Sequence, residues 1–245
     1  WFFALVMVLY VLDLGRLEPM EGAQFVTELR LCHTEDCAAS DLQALPFYSA
    51  IGFGAARDSI NLQADLVLPD GAEGLQAVYF PRFTDTMDLT INGERIFDHT
   101  WPQRMFNIPL LVPIPEALLE GGAERLEITI YGTSSEGMDL HPFYFGPEAV
   151  LAPAHAARFF AGPGLARFAL GMMAVLAATL LLAWSFRPRD KEYLWLGLAC
   201  VVIMPTLVLY GFGRPLTGYT FWTMITALSP AIYALFLLLF LRSLL

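Results

Sequence analysis

The chain has 245 residues, a formal net charge of −10 and an apolar fraction of 56%. A soluble globular protein holds about 45–50% apolar residues, and the excess here sits at the start and over the last third of the chain, as in a membrane protein. Between Arg16 and Arg158 stand 8 Lys/Arg against 21 Asp/Glu, a balance that repels polyphosphate and excludes nucleic acid as a partner.

Trp1 to Leu12 is apolar and uncharged. Twelve residues make a helix of about 18 Å, short of a hydrocarbon core of about 30 Å. The segment is either the tail of a span or the apolar region of a signal peptide. Asp13, Glu18 and Glu21 follow without a small-residue cleavage site, so residues 1–15 are expected to be an uncleaved signal or membrane anchor. A first residue of Trp1, and a stop at Leu245 directly after an apolar run, lead us to expect a piece of a longer protein.

Cys32 and Cys37 come next, spaced C-x4-C. In a domain expected to lie in an oxidising compartment, this spacing reads as a disulfide. So small a loop adds at most about 2–3 kcal/mol, because the entropy gain rises with loop length. A metal site on Cys32, His33 and Cys37 is the sharper alternative. Zinc needs four ligands and no second pair follows, so no metal and no cofactor are expected.

Residues 20–155 read as strands. Leu62, Ala64, Leu66 and Leu68 alternate with polar residues, and Pro69-Asp70-Gly71 marks a turn. Leu75 to Phe83 is aromatic and β-branched enough for a strand. Met87, Leu89 and Ile91 alternate with Asp88 and Thr90, and Asn92-Gly93 is a strong hairpin signal because both positions tolerate positive φ. Ile96 and Phe97 begin the return strand, and a short helix is expected at 115–119. Leu126, Ile128 and Ile130 alternate with Glu127, Thr129 and Tyr131. Short alternating strands with frequent turns predict a β-sandwich over 20–155.

No catalytic residue is assigned. His33, His99, His141 and His155 fit no catalytic spacing, and no G-x-S-x-G occurs. The many carboxylates leave a two-carboxylate glycosidase open without pointing to a pair. The segment is therefore expected not to be an enzyme.

Three uncharged runs follow, Phe168–Phe186, Tyr193–Gly213 and Pro215–Leu241, each long enough to cross a bilayer. Transmembrane helices are expected at about 164–186, 193–213 and 219–241, within a membrane region 163–245. The connector Arg187-Pro-Arg189-Asp-Lys191-Glu192 holds three basic residues, and Arg242 follows the last run. The positive-inside rule places 187–192 in the cytoplasm and 16–160 on the other side, the periplasm of a bacterial inner-membrane protein. Pro205 and Pro230 fall inside runs and are read as tolerated membrane prolines. Cys200 reads as a small apolar residue.

The hairpin Met87–Phe97, then Ile114–Leu119, then Glu124–Ile130 resembles the galactose-binding-like jelly roll. His141-Pro-Phe-Tyr-Phe-Gly-Pro147, a short connector and a run of helices resemble the bacterial seven-transmembrane receptors with diverse intracellular signalling modules. That resemblance implies a periplasmic jelly-roll sensor, the first three of seven helices, and an output domain beyond Leu245, a diguanylate cyclase or histidine kinase. It implies a carbohydrate or protein ligand, for which Tyr79, Arg82, Trp101 and Tyr144 are the candidate contacts. The bilayer and a second copy of the chain are the other expected partners. A scaffold or carbohydrate-binding subunit of an envelope complex is the alternative function, and a membrane enzyme the next.

Overall fold

The structure, a computed structural model, describes residues 17–32, 41–49, 58–68, 74–98, 105–106, 108–119, 123–132, 138–212 and 219–244. The predicted anchor at 1–15 lies outside them. The chain divides into two compact units, Trp1–Ala161 and Gly162–Leu245.

The first unit is built on thirteen described strands: β1 (Gln24–Val26), β2 (Glu28–Cys32), β3 (Asp41–Ala44), β4 (Phe47–Ser49), β5 (Asp58–Val67), β6 (Gln76–Phe80), β7 (Phe83–Ile91), β8 (Glu94–Asp98), β9 (Met105–Phe106), β10 (Leu110–Ile114), β11 (Ala123–Gly132), β12 (Met138–Leu140) and β13 (Phe143–Pro147). All described pairings are antiparallel. One sheet runs β1-β13-β6-β10. The other runs β3-β2-β5-β11-β7-β12-β4, with β8 and β9 also paired to β7. Strand β11 is central to the larger sheet, registered on β5 from Ala123↔Val67 to Gly132↔Asp58 and on β7 from Leu126↔Ile91 to Tyr131↔Thr86.

The period-2 pattern explains which face is buried. Leu62, Ala64 and Leu66 of β5, Met87, Leu89 and Ile91 of β7, and Leu126, Ile128 and Ile130 of β11 all enter one core. Val78 and Phe80 of β6 and Phe143 and Phe145 of β13 supply the facing layer of the same core. Gln24 of β1 ties one sheet to the other: its Nε2 donates to the Asp65 carbonyl at 3.3 Å, and its Oε1 accepts from Val67 N–H at 2.8 Å.

The predicted hairpin forms between β7 and β8, with φ 50° at Asn92 and 86° at Gly93. Asn92 does more than turn the chain. Its Nδ2 donates to the Leu118 carbonyl at 3.0 Å and to Glu124 Oε2, and its Oδ1 accepts from Arg125 N–H at 3.1 Å. The short helix expected at 115–119 is a single 3₁₀ turn, Glu116–Leu118.

Where a short connector was expected after Pro147, the chain forms a helix, α1 (Glu148–Phe159). Five alanines in Glu148-Ala-Val-Leu-Ala-Pro-Ala-His-Ala-Ala-Arg-Phe159 give it helix propensity despite Pro153. Leu151, Ala154, His155 and Arg158 repeat at i, i+3, i+4 and i+7, the spacing of one helix face.

The second unit holds α2 (Leu165–Phe186), α3 (Lys191–Phe212) and α4 (Tyr219–Leu244). Three helical stretches, Glu148–Phe186, Lys191–Phe212 and Met224–Leu244, are long and apolar enough to cross a membrane. Helix α3 packs against both α2 and α4. At Gly197 a Cβ would stand 2.9 Å from Leu181 Cδ2, so the glycine lets α3 approach α2 closely. Arg167 Nε donates to the Gly211 carbonyl at 2.8 Å, and its guanidinium lies 4.9 Å over the Phe212 ring. A cation there satisfies a carbonyl in the last turn of α3, where helices leave such groups unpaired.

Candidate functional site

The two central strands of the four-stranded sheet, β6 and β13, are buried on both faces, whereas antiparallel sheets commonly leave one face to water. All five residues of β6 are buried. Val78 and Phe80 point into the main core, while Ala77 and Tyr79 join Tyr144 and Leu151 in a second cluster on the opposite face. Helix α1 covers that second face.

The seat of α1 is aromatic. Tyr144 is registered directly opposite Tyr79, and their rings stack at 5.8 Å and 19°. Phe25, opposite Tyr144 on β1, stacks on it at 4.9 Å. From the helix, His155 meets Tyr79 edge-on at 5.9 Å, and its Nε2 lies 3.3 Å from the Pro109 carbonyl beside β10. The Tyr144 hydroxyl donates to the Glu18 carbonyl at 2.8 Å. Burial raises the Tyr144 pKa above its usual value of 10.0, opposed by the charge of Arg158 and reinforced by Glu18. The start of α1 is fixed by Glu148 N–H donating to the Leu75 carbonyl at 2.8 Å. At Gly146 a Cβ would stand 3.0 Å from Ala23, so the glycine lets the residue leading into β1 approach closely. A groove of about 330 Å³ lies at the first turn of α1, lined by Gly74, Leu75, Pro147, Glu148, Ala149 and Ala152.

These contacts locate the candidate ligand residues. Tyr79 and Tyr144 are each 2% exposed and stack on one another, so neither offers a ring face to a ligand. Their role in the fold is to seat α1. Arg82 stands apart from them, at the corner between β6 and β7. Its Nη2 lies 3.8 Å from Asp139 Oδ2, and His141 Nε2 lies 3.2 Å from the same oxygen. The three side chains are 37%, 20% and 23% exposed, so this corner can still offer hydrogen bonds to a solute. Trp101 lies outside the described residues.

Cys32 ends β2 and is buried, and its predicted partner Cys37 lies outside the described residues, as does His33. Among the described residues no group of three or more His, Cys, Asp or Glu is placed to hold a metal ion. The outer face of the larger sheet is polar: the Tyr131 hydroxyl donates to Asp88 Oδ2 at 3.1 Å, and Thr129 Oγ1 to Asn61 Oδ1 at 3.0 Å.

The residues that sequence reasoning missed are those of α1. Leu151 and His155 carried a helical spacing that a strand reading of 20–155 overrode.

No family model and no curated protein matches the chain. Solved structures that it resembles include a glycosyl hydrolase family 2 member from Bacteroides cellulosilyticus, at 13% identity and TM-score 0.39, over 51% of this chain and 20% of that one. A β-glucuronidase from Faecalibacterium prausnitzii follows at 15% and 0.34, over 47% and 22%. One from Ruminococcus gnavus stands at 10% and 0.39, over 54% and 30%. The matched stretch is thus less than a third of each of those chains. Likeness at this level carries no argument about this protein, whose antiparallel architecture rests on its own registers.

Proposed function

We propose that the chain is the sensory input part of a bacterial inner-membrane receptor of the seven-transmembrane class with intracellular signalling modules. In this reading the β unit is a galactose-binding-like jelly roll in the periplasm, and α2, α3 and α4 are the first three membrane helices. Cys32 and Cys37 form a disulfide, as suits that compartment. A carbohydrate or protein ligand meets the domain at Arg82 and Trp101, and the signal leaves toward an output domain beyond this chain.

The observation that carries the reading is α1. It is the one helix of several turns among the described residues of the β unit. Its inner face is built into a dedicated aromatic seat on a sheet that would otherwise face water. Only the five residues Phe160–Gly164 separate it from α2. A ligand shifts a conformational equilibrium only through different affinity for two states, and a helix seated on a sheet is an element that can have two. The charge pattern supports the orientation, with Arg187, Arg189 and Lys191 between α2 and α3.

The test is sidedness. Single cysteines at the exposed positions Glu94 and Arg189 are probed with a membrane-impermeant maleimide in cells whose outer membrane alone is permeabilised. Position 94 should label and position 189 only after lysis. Equal labelling of both before lysis would overturn the topology and the receptor reading with it.

A further inference from the structure

Helices α3 and α4 each contain an interior proline with a hydroxyl residue beside it. Thr206 follows Pro205 in α3, and Ser229 precedes Pro230 in α4. The two hydroxyls meet: Thr206 Oγ1 and Ser229 Oγ are 2.6 Å apart, and Ser229 is 2% exposed. Ser229 Oγ also donates to the Thr226 carbonyl at 3.3 Å. That carbonyl is the acceptor to which residue 230 would donate in an uninterrupted helix, and proline has no N–H to give. The serine hydroxyl thus supplies the hydrogen that Pro230 withholds. With the Ser229 proton directed there, the Thr206 hydroxyl is the donor of the short contact. The order is Thr206 O–H to Ser229 Oγ, and Ser229 O–H to Thr226 O.

This arrangement goes further than helix packing. A proline in a helix surrounded by hydrocarbon leaves a weak point whose freed carbonyl has no water to turn to. Here the replacement donor is held in position by a side chain from the neighbouring helix. Below the proline, α4 is tied to α3 by a second contact, the stacked rings of Trp195 and Phe236 at 6.1 Å and 19°. The half of α4 after Pro230 is held to α3 by that ring pair. The half before it meets α3 at Ser229, through the hydroxyl contact with Thr206.

We infer that Thr206, Ser229 and the Thr226 carbonyl form a latch on a proline hinge in α4. With the latch closed, α4 keeps one bend. With it open, the residues before Pro230 swing against those after it. The inference does not depend on the receptor reading, because it concerns only contacts between α3 and α4.

The experiment uses the whole chain in nanodiscs, with encoded spin-label side chains at Met224 and Leu241, both exposed on α4. The native cysteines remain. Pulsed electron resonance should give one narrow distance near about 25 Å, the rise of seventeen helical residues. Thr206→Val keeps the shape and removes the hydroxyl, and the distance distribution should widen about twofold or split. Thr206→Ser should restore the narrow distribution. Thr206→Val combined with Pro230→Ala should also be narrow, because alanine returns the missing N–H. A Thr206→Val distribution as narrow as the parent overturns the latch. A double variant as broad as the single overturns the hinge. If Thr206→Val does not yield folded protein, Ser229→Ala replaces it under the same two criteria.

Discussion

The two units use similar apolar side chains in opposite ways. In the β unit, Phe80, Phe83, Phe143 and Phe145 are at most 1% exposed and point into one core. In the helical unit, Phe168, Val175, Leu182 and Phe186 of α2 are 58–79% exposed, as are Leu235, Leu238 and Leu241 of α4 at 53–63%. The difference teaches which solvent each unit is built for. Water drives apolar area inward, so the β unit spends its large side chains between layers. A helix satisfies its backbone internally and needs no such driving force in hydrocarbon. Its contacts include small residues and polar clamps, here Gly197, Arg167 and the pair Thr206–Ser229, beside the ring pair Trp195–Phe236.

The same substitution made in both units tests that contrast directly. Phe80→Ala removes a fully buried ring in contact with Phe83 and Phe143 and should cost about 3–5 kcal/mol. Phe168→Ala, at 66% exposure, should cost no more than about 0.5 kcal/mol. Denaturant titration of the whole chain in mild detergent, followed by near-ultraviolet circular dichroism, measures both. Equal costs would mean that the exposed face of α2 is covered in the functional protein, and the contrast between the units would fail.

How much of this was legible follows the same divide. Strands with one wet face announced themselves: the alternation at 87–91 and 126–131 and the Asn92-Gly93 turn lie in the observed strands and hairpin, and that at 61–68 does so up to Val67, where β5 ends. The described parts of the uncharged runs lie in α2, α3 and α4. Strand β6 shows no alternation because both of its faces are buried, and the reason is a helix 70 residues away in sequence. The resemblance implied Tyr79 and Tyr144 as ligand contacts, and nothing local says that α1 will cover them. The reading of Asn92 was right about the turn and silent about its side chain. Hydrogen bonds to Leu118, Glu124 and Arg125 join segments 26 to 33 residues apart, and no local pattern encodes them.

Asn92 sharpens the comparison at the next level of effect. Helices close their own backbone bonds, whereas the β unit needs this side chain to close a loop. Asn92→Ala places an ordinary side chain at φ 50° and strips a partner from Glu124, which is 2% exposed. The expected loss is about 2–4 kcal/mol. Asn92→Gly keeps the positive φ and should lose roughly 1 kcal/mol less. The same denaturant titration ranks the two. An alanine variant as stable as the glycine variant would show that backbone conformation, not hydrogen bonding, is irrelevant at this turn, and would leave the side-chain links as the whole effect.

The smallest expected effect concerns the polar outer face of the larger sheet. Burial pushes the Tyr131 pKa above 10.0, and its hydrogen bond to Asp88 and the charge of that carboxylate push the same way, with Arg95 opposing. The folded state therefore holds the phenol proton more tightly than the unfolded chain does. By linkage, the stabilisation is fully present below the unfolded value of about 10 and is lost as pH rises through the folded value. Tyr131→Phe should cost about 0.5–1.5 kcal/mol near neutrality, the worth of one hydrogen bond. It should also flatten the fall in stability between about pH 9 and 11. Some slope must remain, because Tyr144 is raised by burial as well. Denaturant midpoints measured across that range for the parent and the variant decide the matter. Parallel curves would mean that the Tyr131–Asp88 contact is a surface pair worth little, and that the outer face of the sheet is as fully wetted as a membrane helix is dry.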